Sequence, residues 1–173
     1  MSHNLAGFAA TTNTLQRLRR VWYHSRIFQL RPGTGLAFLP IPDWYTIEQE
    51  NAAGRIVPND FAMEQDFHRG AIDRFAADSV GSGLAWLRTN YFMGLGYQVA
   101  ILWIDGAHVF GPDVVRNDDK RRIPVSEYPI NRALRSLGVM STDNFDEFDI
   151  FGLGGYSEYK HIAATAEEVV PPG

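Results

Sequence analysis

Apolar positions change their spacing from one segment to the next, and the spacing names the element each segment forms. From Tyr97 to Ile104 the chain is almost continuously apolar. Val99, Ile101 and Trp103 share one face of an extended chain, and Ala100, Leu102 and Ile104 share the other. A strand apolar on both faces is expected at the centre of a sheet, covered on both sides. Asp105-Gly106 follows it and signals a two-residue turn, because a type I′ turn needs positive φ at both central positions. "AHVFG" then returns as the partner strand, which puts His108 just after the turn. A second hairpin is expected in "RIFQLRPGTGLAFLPIP", where two runs rich in Ile, Phe and Leu flank the turn chemistry of "RPGTG". Pro40 and Pro42 end its second strand or set it at a sheet edge.

Helical spacing takes over elsewhere. In "TLQRLRRVWYHSR", Leu15, Leu18 and Val21 or Trp22 share a face opposite the arginines, with Asn13 or Thr14 as the cap. In "NDFAMEQDFHRGAIDRFAADS", Met63, Phe67, Ala71 and Phe75 recur every four residues, and Asn59 or Asp60 caps the helix they form. Gly81-Ser82-Gly83 stops that helix, and Ser82 is read as the cap of another, "LAWLRTNYFM". A last helix lies in "SEYPINRALRSLG", with Ser126 as cap, Pro129 in the first turn, Gly138 as stop, and an apolar stripe of Ile130, Ala133, Leu134 and Leu137. "DWYTIEQENAAGRIVPND" is ambiguous, with Asp43 able to cap a short helix. "FDIFGLGGYSEYKHI" is read as holding one more strand. Residues 1–12 read as an N-terminal arm and 163–173 as a C-terminal tail. Strands are grouped rather than alternating with helices. The expected fold is α+β, a single domain over 1–173 with three to four helices on a small, mainly antiparallel sheet built from two β-hairpins.

Composition narrows what such a domain does. A chain of 173 residues buries most of the surface its unfolded form exposes. It has no cysteine, which excludes disulfides, thiolate catalysis and Cys-ligated metals. A net charge of −4 argues against a nucleic-acid partner, which would call for a basic face. No stretch approaches the roughly 20 apolar residues of a membrane span, so no membrane partner is expected. The basic cluster near the start follows the mildly apolar residues, the reverse of a secretory leader. The expected location is therefore the cytoplasm or an assembled particle. "RLRR" (Arg17 to Arg20) and "KRR" (Lys120 to Arg122) are basic, and "DNFDEFD" (Asp143 to Asp149) is acidic. Separated patches of opposite sign suit register against a partner or against further copies of the chain.

Candidate chemistry is sparse. "IDGAH" is similar to the strand end of certain small-molecule methyltransferases, where acidic and imidazole groups flank a cofactor or metal; the resemblance spans five residues. Such folds also need a glycine-rich turn after an early strand to bind the cofactor. The glycine-rich "GSG" at 81–83 follows a helical segment instead, so the turn reading of Asp105-Gly106 is kept. The histidines are scattered, with no pair at helical spacing, and neither a metal nor a cofactor is expected. No G-x-S-x-G elbow and no phosphate-binding P-loop occurs. Aromatics make up 13% of the chain, which is on the high side; some belong in the core, and an excess of Trp and Tyr also suits a contact surface. The expected role is therefore non-enzymatic: protein interaction or assembly, through a protein partner or self-association. The residues expected to carry it are Trp44, Tyr45, Phe145, Asp146, Phe148 and Asp149, with the phenylalanines entering a groove while the acids stay wet. The competing expectation is a small cytoplasmic hydrolase, its His/carboxylate pocket between the hairpin and the long helix, near His108 or His68.

Overall fold

The structure, a computed structural model, is described for residues 3–19, 26–41, 69–93, 95–117 and 123–170. Among the described residues seven strands form one sheet: β1 (His3–Ala10), β2 (Phe28–Gln29), β3 (Ala37–Ile41), β4 (Gly83–Phe92), β5 (Leu95–Ile104), β6 (Ala107–Arg116) and β7 (Glu167–Glu168). Their order is β6-β5-β4-β1-β3-β2-β7, and every neighbouring pair is antiparallel. The helices are α1 (Thr12–Arg19), α2 (Arg69–Asp78), α3 (Pro129–Ser136), α4 (Glu147–Phe151) and α5 (Tyr159–Thr165). The class is α+β. Both expected hairpins, β2–β3 and β5–β6, are present, but the sheet they belong to is broader than two hairpins, with β1, β4 and β7 added.

Side-chain alternation along the strands explains the architecture. Phe8 of β1, Leu39 of β3, Leu84 and Trp86 of β4, and Val99, Ile101 and Trp103 of β5 point to one face, where Leu15 and Leu18 of α1 and Phe75 of α2 cover them. Leu5, Phe38, Leu87, Ala100 and Leu102 point to the other, under Ile130 and Leu134 of α3, Phe151 of α4 and Ile162 of α5. Both faces of β5 are buried, as its unbroken apolar run requires. Asp105 and Gly106 have φ of 46° and 81°, so the turn has the positive φ that the Asp-Gly pair signals. It also packs onto the end of α2: Gly106 N donates to Ser79 Oγ at 3.0 Å, and Gly81 N donates to Asp105 Oδ1 at 2.8 Å.

Four expectations need correction. Residues 3–10 are no arm: β1 lies between β3 and β4, inside the sheet. Its small residues meet a packing demand, since a Cβ on Gly7 would stand 2.6 Å from the Phe38 ring and 2.5 Å from the Leu39 carbonyl oxygen. "LAWLRTNYFM" is a strand rather than a helix, because an apolar run serving two faces of a sheet resembles a buried helix in sequence. Ser82 accordingly caps nothing there. "FDIFGLGGYSEYKHI" forms α4, a 3-10 turn and most of α5 instead of a strand. The tail from 163 completes α5 and pairs as β7 with β2, where Arg26 Nη2 meets Glu168 Oε2 at 2.6 Å. Two caps also shift. Thr11 Oγ1 accepts from Thr14 N ahead of α1, and Tyr128 precedes Pro129 at the start of α3 while Ser126 sits in the 3-10 turn before it.

Candidate functional site

At one end of the sheet, the row of side chains under α3 and α4 turns from apolar to polar. On β1, Leu5 gives way to His3; on β4, Leu87 gives way to Thr89 and Tyr91; on β5, Ala100 gives way to Gln98. The start of α3 and the segment before α4 roof this row with Val125, Tyr128, Asn131, Asp146 and Phe148, and Asn117 closes one side. Between floor and roof lies a cleft of about 370 Å³, within the size range of ligand sites.

Buried amides hold the roof in place. Asn131 Nδ2 donates to Val125 O at 3.0 Å and to Asp146 Oδ2 at 3.1 Å, while its Oδ1 accepts from Phe148 N at 2.9 Å. Gln98 Oε1 accepts from Ile130 N at 3.2 Å, which satisfies one of the free N–H groups at the start of α3. Gln98 Nε2 donates to the Tyr91 hydroxyl at 3.4 Å. Both amides are nine-tenths or more buried, so their bonds fix the cleft's shape.

His3 ties β1 to its neighbours. Its Nε2 lies 3.2 Å from Leu153 O, and its Nδ1 is hydrogen-bonded to Thr89 Oγ1. A carbonyl only accepts, so Nε2 carries the proton and Nδ1 accepts from the threonine hydroxyl. Burial lowers the His3 pKa, outweighing the Leu153 bond that raises it, and the ring stays neutral. Burial also raises the Tyr91 pKa, with a smaller upward push from Tyr128, against the Gln98 bond that lowers it. Asp149, beside Asp146, is pushed up first by burial and then by the Asp146 charge, with Arg31 opposing.

Of the residues expected from sequence, Asp146 and Phe148 line the cleft. Phe145, adjacent to Asp146 in the chain, is 49% exposed and does not line the cleft. Asp149 does not line it, and donates its backbone N–H to the Asp146 side chain at 3.0 Å. Trp44, Tyr45 and His68 lie outside the described residues. The acidic segment is drier than expected: Glu147 is 1% exposed and accepts from Arg135 Nε at 2.7 Å. Burial alone would raise the Glu147 pKa, but bonds from Arg135, the backbone and Ser141 outweigh it and the net shift is downward. His108 is exposed on β6, its Nε2 2.9 Å from Gly111 O, and does not line the cleft. Sequence reading missed His3, Thr89, Tyr91, Gln98, Tyr128 and Asn131. Gln98 and Asn131 did carry a signal, as polar residues on otherwise apolar faces.

Beside the cleft, the β4–β5 hairpin ends in a cluster of large apolar side chains. Phe92, Met93 and Leu95 are 65%, 80% and 70% exposed, and Phe92 follows the cleft residue Tyr91 directly in β4. Among the described residues, no group of three or more His, Asp or Glu side chains could hold a metal ion, and no helix is long and apolar enough to cross a membrane.

The fold and site define an α+β protein with a seven-stranded antiparallel sheet, a polar cleft at one end and an apolar hairpin tip beside it. No protein-family model, curated protein or solved structure matches the chain.

Proposed function

We propose that this chain is a protein-interaction or assembly protein whose contact face is the end of the sheet carrying the cleft and the β4–β5 tip. Such a role would be met by a subunit of a larger complex such as a viral particle or tail, by a ring-forming adaptor, or by an immunity or inhibitor protein. The observation that carries it is the exposure of Phe92, Met93 and Leu95 together at one tip. These side chains stay mostly exposed in the fold, and clustered exposed apolar surface marks contact sites. Sedimentation velocity across concentrations, with affinity capture from the producing cell, tests this reading. The expected result is self-association or one tightly held protein, lost in the double variant Phe92→Ser/Leu95→Ser. A wild-type chain that stays monomeric and holds no partner would end it.

One observation favours the competing hydrolase. Thr89 donates its hydroxyl hydrogen to a neutral imidazole inside the cleft, the relation a nucleophile has to its base. The imidazole is oriented by a backbone carbonyl instead of a carboxylate. On this reading Thr89→Ala and His3→Ala each abolish hydrolysis of activated esters. Equal rates from wild type and Thr89→Ala would remove it.

A further inference from the structure

We infer that the cleft is a receptor for an organic cation, a guanidinium or alkylammonium group. Three aromatic side chains, Tyr91, Tyr128 and Phe148, line it, and aromatic rings attract cations through their quadrupoles, most strongly away from water. Among the described residues Asp146 is the one carboxylate in the lining. Among the described residues its hydrogen bonds come from neutral donors, the Asn131 amide and the Asp149 backbone, which orient its charge without cancelling it. Among the described residues no Lys or Arg lines the cleft.

The arginines of the roof helix are engaged elsewhere: Arg132 with Asp113 at 2.7 Å, and Arg135 with Glu147 at 2.7 Å. The imidazole in the floor is neutral and supplies no positive charge. The Asp146 carboxylate sets a negative potential that a cation entering the cleft would meet. An anion would be repelled by that potential. A purely apolar ligand would leave the Tyr hydroxyls and the carboxylate without water, at a cost.

This inference stands apart from the hairpin tip, because a free cation and the end of a partner's basic side chain offer the cleft the same group. The test titrates the full chain with N-acetyl-arginine methylamide, with choline and with the uncharged N-acetyl-citrulline methylamide. Binding is followed by the NMR signals of the Asn131 and Gln98 side-chain amides. At least one cation is expected to bind saturably and the citrulline compound not to bind. Asp146→Asn should weaken cation binding about tenfold, as expected when a desolvated charge partner is lost. Tyr128→Leu, which keeps the carboxylate, should weaken it as well. Tighter binding of the arginine compound than of choline assigns the site to a basic side chain, and the reverse assigns it to a free quaternary ammonium ion. No saturable binding, equal binding of the citrulline compound, or an unchanged affinity in folded Asp146→Asn would overturn the inference. Sedimentation of the same samples reports separately on the interaction reading.

Discussion

His3 shows how one residue's environment sets its behaviour. With both ring nitrogens engaged and the ring buried, the folded chain holds it neutral below the pH at which a free imidazole takes up its proton. The unfolded chain binds that proton near the ordinary value of 6.5, whereas the folded chain binds it only at lower pH. The folded state therefore keeps its full stability above 6.5 and loses it as pH falls through the depressed value. Urea unfolding of wild type and His3→Gln at about pH 5 and about pH 7.5 should show a steeper acid loss in wild type. Parallel pH profiles would contradict this account of the ring. None of it is legible locally, because Thr89 and Leu153 lie 86 and 150 residues from His3. The Asp105-Gly106 turn, by contrast, depends on two adjacent residues and can be read directly from them.

The first strand is the sharpest test among the elements. "HNLAGFAA" is short of bulky residues and reads as an arm, yet β1 pairs with both β3 and β4 and buries Leu5 and Phe8 on opposite faces. Removing residues 1–10 should leave a chain without cooperative unfolding by circular dichroism, since it opens the middle of the sheet. A dispensable arm would leave the melting curve unchanged. Helices with one buried stripe, α1 and α3, were legible because their period of 3.6 survives in the sequence. β4 was not, since a strand covered on both sides loses the alternation that distinguishes it from a buried helix. α4 and α5 are too short to establish a period, at five and seven residues.

For the molecule as a whole, apolar surface divides into what folding hides and what it leaves out. Trp86 and Trp103 are 1% and 0% exposed, whereas Phe92, Met93 and Leu95 remain open. Phe92→Ser/Leu95→Ser should therefore alter stability within roughly 0.5 kcal/mol for each exposed site. Trp86→Ala should cost about 3–5 kcal/mol. Chemical denaturation of both variants separates a surface kept for contact from one needed for folding. A large stability loss in the tip variant would mean that the tip packs against the fold and is not free to bind.

By itself the sequence determined the α+β class, the hairpin at Asp105-Gly106, the two-faced burial of β5, and the helices around Leu15 and Ile130. Each depends on residues within a turn or two of one another. The tertiary structure alone decided the strand order, the interior place of β1, and the cleft that gathers His3, Thr89, Gln98, Asn131 and Asp146. These depend on contacts between distant segments, and a residue's local spacing carries no record of which distant segment it will meet.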